Sequence, residues 1–503
     1  MGNDFTIPVL PVSPGNSRGA KGGMRRSFLL EKLNNPLGYI LLFLLSAGLA
    51  MGIAEYGLKF GIIALVVMVT IPVLYILVAY PVTGITLFYI LAWFLLYIMK
   101  LGVDYPLGTV MDGMEVFFVL GLFIQQRRKK DWTIFKGPVT TMILIWIGYN
   151  LSEVANPSAE SKMAWLYAIR AVALIMVMYF VFLYNIRTIA VVRFMLKLWL
   201  GLALFAALYA WKQQYIGFTS FEEAYLHSDP RIADLLFING VWRKFSIFSD
   251  PVVFSYTMVF SSLLCIGILT GPVSTVKKWM LGGLIFMYMT AMLFSGTRGA
   301  FVLLPAAMIL YAIMKFNTRI LVMGIIGAIL FAGLIFVPTT NGTLYRFQSA
   351  FKPSQDASYL LRKHNQKMIQ PFILSHPLGG GLGATEVFGM RFSPNSFLAH
   401  FPPDSGYVRV AVELGWIGLF LLCLLMFLVL KTGINNYYVI KDPELKSYCF
   451  AMVLIAFAFN IGNFPQEALV QYPSNVNFYL VIALITVLRR LDNQQNQLPH
   501  GTK

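Results

Sequence analysis

Three arginines, each set in a distinctive local sequence, are the side chains of this chain best suited to chemistry. Arg298 lies in FSGTRGAF, Arg243 in VWRKFSIFSDPVVFSY and Arg362 in DASYLLRKHNQKMIQPF. A guanidinium group presents a planar fork of N–H donors that matches the oxygens of phosphate or carboxylate. Arg298 also lies near the start of an apolar run, where a helix N-terminus favours negative charge. The three arginines therefore predict an anionic ligand.

Each arginine also has a simpler interpretation. Arg298 could snorkel to the membrane surface, although the glycines beside it indicate a turn that a ligand can approach closely. Arg243 could belong to a basic pair in a surface loop, just before Asp250-Pro251, which is typical of a helix start. Helical spacing around Arg362 predicts an amphipathic helix on the membrane surface that Pro371 ends or kinks.

Arg170 and the segment HFPPDSGY complete the set of candidates. Arg170 lies inside an apolar run, where charged side chains usually face a cavity or a partner, although its position near the outer end also permits snorkelling. His400 and Asp404 flank two prolines in HFPPDSGY, and one of them is a candidate general base. The alternative is that Asp404 caps the following helix. The preceding HPLGGGLG is not a dinucleotide site, because no strand precedes it, and no zinc-ligand or paired-carboxylate spacing occurs.

The composition places these residues in a polytopic membrane protein. The chain has 503 residues, of which 58% are hydrophobic and only 12% are charged, and its mean hydropathy is +0.70. Apolar runs of about 20 residues, long enough to cross a hydrocarbon core, recur throughout. The net charge of +17 fits basic loops facing anionic lipid better than nucleic-acid binding. We therefore expect an all-α fold without a nucleic-acid partner.

About fourteen transmembrane helices are expected between two polar tails. Residues 1–35 are predicted to be a disordered tail, and residues 489–503 are predicted to be a second tail. A large outer loop at 338–408 separates the spans in 36–337 from those in 409–488. A smaller outer loop covers 212–250. The predicted spans are 36–54, 60–80, 81–99, 108–124, 134–151, 163–184, 189–211, 251–270, 279–295, 299–315, 320–337, 409–430, 447–461 and 475–488.

The distribution of basic residues orients these spans. With both termini in the cytoplasm, nearly every cytoplasmic loop carries lysine or arginine, as the positive-inside rule requires. The two outer loops are also cationic, against the trend of that rule. We therefore expect an anionic ligand on the outer side.

Short motifs on this outer side resemble those of the O-antigen ligase and O-antigen polymerase-like family of bacterial membrane glycosyltransferases. Residues 240–430 carry the resemblance in five motifs. They are Arg243 with Phe248, Asp250 and Pro251; Ser295, Arg298, Gly299 and Ala300; Arg362; His376, Pro377, Gly379, Gly381 and Gly383; and Tyr407, Glu413, Leu414, Gly415 and Gly418.

The resemblance implies a C-type glycosyltransferase fold with a large periplasmic loop in the bacterial inner membrane. The donor would be an undecaprenyl-pyrophosphate-linked glycan and the acceptor another glycan, with neither metal nor cofactor. Arg243, Arg298, Arg362 and Arg170 would bind the pyrophosphate, and His400, Asp404 and Arg298 would be catalytic. A chain-length regulator and export proteins are further candidate partners.

Three functions remain open from the sequence. Ligases of this family carry a histidine–asparagine motif where this chain has Asp404-Ser405-Gly406-Tyr407, which favours a polymerase of lipid-linked repeat units for O-antigen, capsule or exopolysaccharide. A ligase that moves finished glycan to a lipid or protein is the alternative. A flippase or secondary transporter is the third, although the chain lacks the internal repeat typical of many transporters.

Overall fold

The computed structural model has two compact helical units, the first ending at Tyr80 and the second beginning at Pro81. The residues that it describes are 36–101, 107–238, 240–316, 318–339, 348, 351 and 357–497. The predicted N-terminal tail, 1–35, lies outside them. In the first unit, helices α1 (Pro36–Tyr56) and α2 (Leu58–Ala79) pack together across Gly57, whose φ is +70°.

The second unit consists of helices and one small hairpin. Its helices before residue 250 are α3 (Pro81–Lys100), α4 (Leu107–Lys129), α5 (Pro138–Ser152), α6 (Lys162–Ile169), α7 (Ile175–Asn185), α8 (Ile189–Tyr215), α9 (Ser220–Leu226) and α10 (Pro230–Leu236). Short 3-10 turns cover Thr133–Phe135 and Glu153–Ala155, and a π-helical turn, Arg170–Leu174, joins α6 to α7. The antiparallel hairpin pairs β1 (Phe237–Ile238) with β2 (Val241–Trp242).

The second half of this unit carries the long helices of the core and the helices of the large outer loop. They are α11 (Pro251–Leu269), α12 (Thr275–Phe294), α13 (Arg298–Met314), α14 (Thr318–Phe336), α15 (Ala357–Ser375), α16 (Glu386–Phe392), α17 (Gly406–Glu413), α18 (Gly415–Val439), α19 (Pro443–Gly462) and α20 (Ser474–Gln497), with a 3-10 turn at Leu398–His400.

The all-α polytopic architecture expected from the composition is present. Each of the fourteen predicted spans overlaps at least one helix, and those at 163–184 and 409–430 each cover two. Within the described residues, nine helices are long and apolar enough to cross a membrane. The figure of fourteen spans therefore stays a prediction, because helices such as α5 and α13 are shorter than about 20 residues.

Helices α11, α19 and α20 form the core, and their spans are the most buried of the nine. Polar side chains in α11 are satisfied within the helix, since Thr257, Ser261 and Ser262 donate hydrogen bonds to carbonyls four residues earlier. Gly267 lets α11 approach α19 closely, because a Cβ there would lie 2.3 Å from that of Ala451.

The bounds of several helices differ from those of the predicted spans. The span predicted at 409–430 is divided into α17 and α18, because Gly415, at a φ of +68°, turns the chain against the backbone of Pro377. Helix α15 passes through Pro371 and ends at Ser375. Helix α20 continues beyond the predicted end at 488, where Asp492 accepts hydrogen bonds from the backbone before α19.

The predicted outer loop 212–250 is ordered around its own small core. Leu226 of α9, Leu236 of α10 and the following Phe245 are buried together. This packing places Arg243 at the end of the hairpin, directly before α11.

Candidate functional site

A cavity of about 1040 Å³ lies where the two outer segments meet the ends of the core helices. Arg243, Arg298 and Arg362 all line it, as does Asp404. The other lining residues are Asp234, Leu235, Ile238, Val252, Gly296, Thr297, Gly299, Val302, Leu303, Tyr359, Tyr407, Leu419, Cys423, Asn460, Ile461, Phe464, Pro465 and Gln466. Four of the predicted site residues, far apart in the chain, are thus brought together.

Arg298 is the first residue of α13, with Thr297 as its N-cap. The positive φ of Gly296, +58°, makes the turn that starts the helix. The start of the helix was therefore predicted correctly. The small residues around it allow close packing of neighbouring side chains as well as approach from the cavity. Gly299 lines the cavity, and a Cβ there would lie 2.9 Å from the hydroxyl of Tyr256.

Arg243 holds this turn in place from the other outer segment. Its Nε donates to the carbonyl oxygen of Ser295 at 2.9 Å, and its Nη2 donates to Oγ1 of Thr297 at 2.9 Å. Thr297 in turn donates to the carbonyl of Pro251 at 3.0 Å. Asp250 caps α11 as predicted, accepting from the backbone of Val252 and Val253. Arg243 thus fixes the start of α13 relative to the start of α11.

Arg362 reaches the cavity from α15, which is anchored about two turns further along. Ile369 is fully buried in a cluster with Leu398, Phe401 and Val412. Leu361, which lies on the same side of the helix as Ile369 by helical spacing, is 59% exposed. Tertiary packing therefore buries only part of the predicted amphipathic face, and its burial at Ile369 sets the position of Arg362.

Asp404 enters the cavity from the segment before α17, in a conformation that few non-glycine residues adopt. Its φ is +43°. Oδ2 of its carboxylate accepts a hydrogen bond of 3.3 Å from Nδ2 of Asn365. The N-cap of α17 is Ser405, so the alternative in which Asp404 caps that helix was wrong.

The rest of the lining divides into polar and apolar parts. In the polar part, the hydroxyl of Tyr407 donates to the side-chain and backbone oxygens of Asn460. Gln466 also belongs to this part of the lining. Apolar lining comes from helices α13 and α18, which contribute Val302, Leu419 and Cys423. The cavity therefore presents cations, hydrogen-bonding groups and hydrocarbon surface to one ligand.

The glycine-rich motif and the ELG motif form one structural unit behind the cavity. The backbone N–H groups of Gly380 and Gly381 donate to the carbonyls of Val412 and Glu413, each at 2.9 Å. The carboxylate of Glu413 accepts from the N–H of Gly383 and from the hydroxyl of Thr385. The glycines at 379, 381 and 383 have positive φ angles. These motifs therefore position the outer loop instead of lining the cavity.

Arg409 ties three carboxylates to this unit. It contacts Glu413 at 3.3 Å, Glu467 at 2.6 Å and Glu386 at 3.8 Å. Burial alone lowers the pKa of Arg409, but the three carboxylates outweigh it and hold that pKa above its ordinary value. No group of three or more histidine, cysteine, aspartate or glutamate side chains in the described part of the chain is arranged to hold a metal ion.

Two predicted site residues do not line this cavity. Nε of Arg170, in the π-helical turn, contacts Oδ2 of Asp112 at 2.9 Å. His400 is exposed, and its Nε2 donates to the carbonyl of Pro394 at 2.8 Å. Of the two candidate bases, Asp404 is therefore the one that faces the arginines.

Sequence reasoning missed several cavity residues. Tyr359 lines the cavity from the segment in which only Arg362 was singled out. Asp234 and Gln466 also line the cavity, but they lie in segments without a distinctive motif. Glu386 and Glu467, the distant partners of Arg409, were missed for the same reason. Their only sequence signal is an acidic residue in an outer segment, and that signal is not specific.

The fold and the cavity define a multi-pass helical membrane protein with an arginine-lined cavity at the ends of its helices. Residues 283–423 match the family model described as O-antigen ligase. The match supports the O-antigen ligase and O-antigen polymerase-like family and confirms the resemblance inferred from the motifs. It includes Arg298, Arg362 and Asp404, whereas Arg243 precedes it. No curated protein matches the chain significantly.

Proposed function

We propose that this protein joins oligosaccharide repeat units carried on undecaprenyl pyrophosphate, at the outer face of the bacterial inner membrane. The O-antigen ligase family match supports a membrane enzyme that acts on lipid-linked glycan. The products would be O-antigen, capsule or exopolysaccharide, and a chain-length regulator and export proteins would be its further partners. The departure from the ligase motif at Asp404-Ser405-Gly406-Tyr407 favours a polymerase over a ligase.

The observation that carries the proposal is the convergence of Arg243, Arg298 and Arg362 on one cavity with an apolar side. A lipid pyrophosphate combines an anionic group with a hydrocarbon chain, so its chemistry matches both parts of the lining. Arginine forks bind phosphate oxygens bidentately, and preorganised cations stabilise developing charge most strongly where water is excluded.

In the proposed transfer, Asp404 acts on the acceptor and the arginines act on the donor. The acceptor hydroxyl oxygen forms a bond to the anomeric carbon of the donor sugar while its proton passes to the carboxylate of Asp404. The bond between the anomeric carbon and the pyrophosphate oxygen breaks, and its electron pair leaves with the pyrophosphate. The arginines stabilise the charge that develops on this leaving group.

The first prediction concerns Arg298. Replacing it with alanine removes a fork of donors from the leaving group, so we expect polymer synthesis to fall by about a hundredfold or more. The readout is the glycan profile of a deletion strain that carries the variant gene. Arg391→Ala is the matched control, because Arg391 is an outer, exposed arginine that does not line the cavity.

The glycan that accumulates in a strain without activity distinguishes a polymerase from a ligase. Loss of polymerase leaves single lipid-linked repeats, whereas loss of ligase leaves long polymer that is not joined to its final acceptor. Normal polymer in the Arg298→Ala strain, with the protein present in the membrane, would rule out the proposed site. Sodium- or proton-dependent glycan uptake by vesicles would instead support the transporter alternative.

A further inference from the structure

Helix α15 delivers two side chains to the same region, and only the first was expected from the sequence. Arg362 lines the cavity, and Asn365 lies three residues later on the same helix. Residues three apart on a helix project from neighbouring positions on its surface. Asn365 is buried, with 8% of its surface exposed, so its amide was removed from water when the loop folded against the core.

The buried amide of Asn365 donates to Asp404. Its Nδ2 lies 3.3 Å from Oδ2 of the carboxylate. Burying an amide costs free energy unless it is hydrogen-bonded, so the Asp404 carboxylate compensates for its burial. Because Asn365 engages Oδ2, the second carboxylate oxygen, Oδ1, is the one to which the proposed reaction assigns the substrate hydroxyl.

The backbone of Asp404 gives this contact more than a packing role. Its φ of +43° is a left-handed conformation that costs about 1 kcal/mol or more for a non-glycine residue. Such a conformation persists only where surrounding contacts hold it. The contact with Asn365 is one of them, and α15 is itself fixed by the burial of Ile369 against Phe401 and Val412.

The charged groups around Asp404 show why orientation matters. Arg243, Arg298 and Arg362 line the same cavity, and Glu386 interacts electrostatically with Asp404 from α16. Without a fixed partner, the carboxylate would be drawn to a guanidinium and would compete with the anionic leaving group. A neutral amide donor holds the carboxylate without adding a charge.

We infer that Asn365 is a positioning residue that directs the Asp404 carboxylate toward the acceptor hydroxyl. This inference rests on the proposed glycosyl transfer. Asn365 holds Oδ2, Oδ1 takes the proton of the acceptor, and Arg362 on the same helix binds the leaving group. Helix α15 thereby sets the distance between the group that binds the leaving pyrophosphate and the group that positions the base for the acceptor.

The experiment compares initial rates of the purified, membrane-reconstituted protein on lipid-linked oligosaccharide extracted from the deletion strain. We expect Asn365→Ala to lower kcat by about tenfold or more with the KM for donor unchanged, because a misplaced catalytic group slows the chemical step. The isosteric Asn365→Asp removes the amide donor without leaving a void, so it should lower kcat at least as much. The control is Gln370→Ala, an exposed amide on the same helix, which should keep the wild-type rate.

A double-mutant cycle with Asp404→Asn distinguishes positioning from a general structural role. If Asn365 acts through Asp404, then Asn365→Ala causes no further loss in the Asp404→Asn background. An equal fold-loss in both backgrounds, or wild-type kcat in both Asn365 variants, would overturn the inference. Full activity of Asp404→Asn would also overturn the inference, but it would not contradict glycosyl transfer as the function. Full activity of Arg298→Ala would instead refute the proposed function.

Discussion

Arg243 both lines the cavity and supports a second arginine. It lines the cavity, and two of its nitrogens hold the Ser295–Thr297 turn from which Arg298 emerges. A lysine in its place would keep the positive charge, but one ammonium group does not reproduce the fork that spans both acceptors. At this position, charge alone is therefore insufficient.

Glu386 provides a prediction for pH at the residue scale. Burial, and then the neighbouring Glu467, raise the pKa of Glu386, and Arg409 only partly offsets them. A carboxyl group whose pKa is raised on folding stabilises the protein fully below its unfolded value of 4.5, and this contribution is lost as the pH rises through the folded value. Glu386→Gln should therefore raise Tm over wild type by an amount that grows from about pH 4 to about pH 8.

Thermal unfolding in detergent at several pH values measures this difference. Gln370→Ala, which changes an exposed and non-titrating side chain of α15, is the control and should give a difference that is constant with pH. A Glu386→Gln difference that shrinks as the pH rises would contradict the assignment.

At the scale of elements, the junction between the glycine-rich turn and α17 determines how the outer loop is held. Gly379 has a φ of +73°, and a Cβ there would lie 2.4 Å from the backbone nitrogen of Gly415 and 2.6 Å from the carbonyl carbon of Glu413. Both obstacles are backbone atoms, so a rotamer change cannot relieve them. Five backbone and side-chain hydrogen bonds of this junction depend on that close approach being kept.

Gly379→Ala should therefore destabilise the protein by about 1–3 kcal/mol or more, because it adds a left-handed alanine and a backbone clash. Gly201→Ala is the matched control, since that glycine lies within α8 and a Cβ there meets nothing within 4 Å. We expect the control to be neutral or slightly stabilising. Equal melting temperatures for the two variants would show that the junction does not limit stability.

At the scale of the whole molecule, the proposed reaction requires the cavity to face the side on which lipid-linked repeats are presented. The arrangement of basic residues predicts that α15 is periplasmic and that the end of α20 is cytoplasmic. The C-type glycosyltransferase fold expected from the resemblance likewise stays a prediction.

Cysteine labelling tests this orientation. In a variant whose Cys265, Cys423 and Cys449 have been replaced, Gln370→Cys should react with a membrane-impermeant maleimide in intact spheroplasts. Gln494→Cys, exposed at the other end of the chain, should react only after the membrane is permeabilised. The reverse pattern would place the cavity in the cytoplasm and exclude the proposed donor.

The sequence by itself determined the features that depend on local order. Apolar runs predicted the helices, Asp250-Pro251 predicted the start of α11, and the apolar run after Arg298 predicted a helix start at that residue. These features follow from contacts within a few residues, where helix geometry sets the distances. The number of membrane spans could not be fixed from apolar runs in the same way, because several helices are short and one apolar run is interrupted at Gly415.

Only the tertiary structure decided which candidates share a site. It places Arg243, Arg298, Arg362 and Asp404 around one cavity, and it places Arg170 beside Asp112 and His400 at an exposed turn. All six side chains have types suited to the chemistry, so their identities could not separate them. Their separation depends on how helices distant in the chain pack, and on a glycine-rich turn that seats the outer loop against Glu413. Those distances are properties of the packed core, which local sequence patterns do not encode.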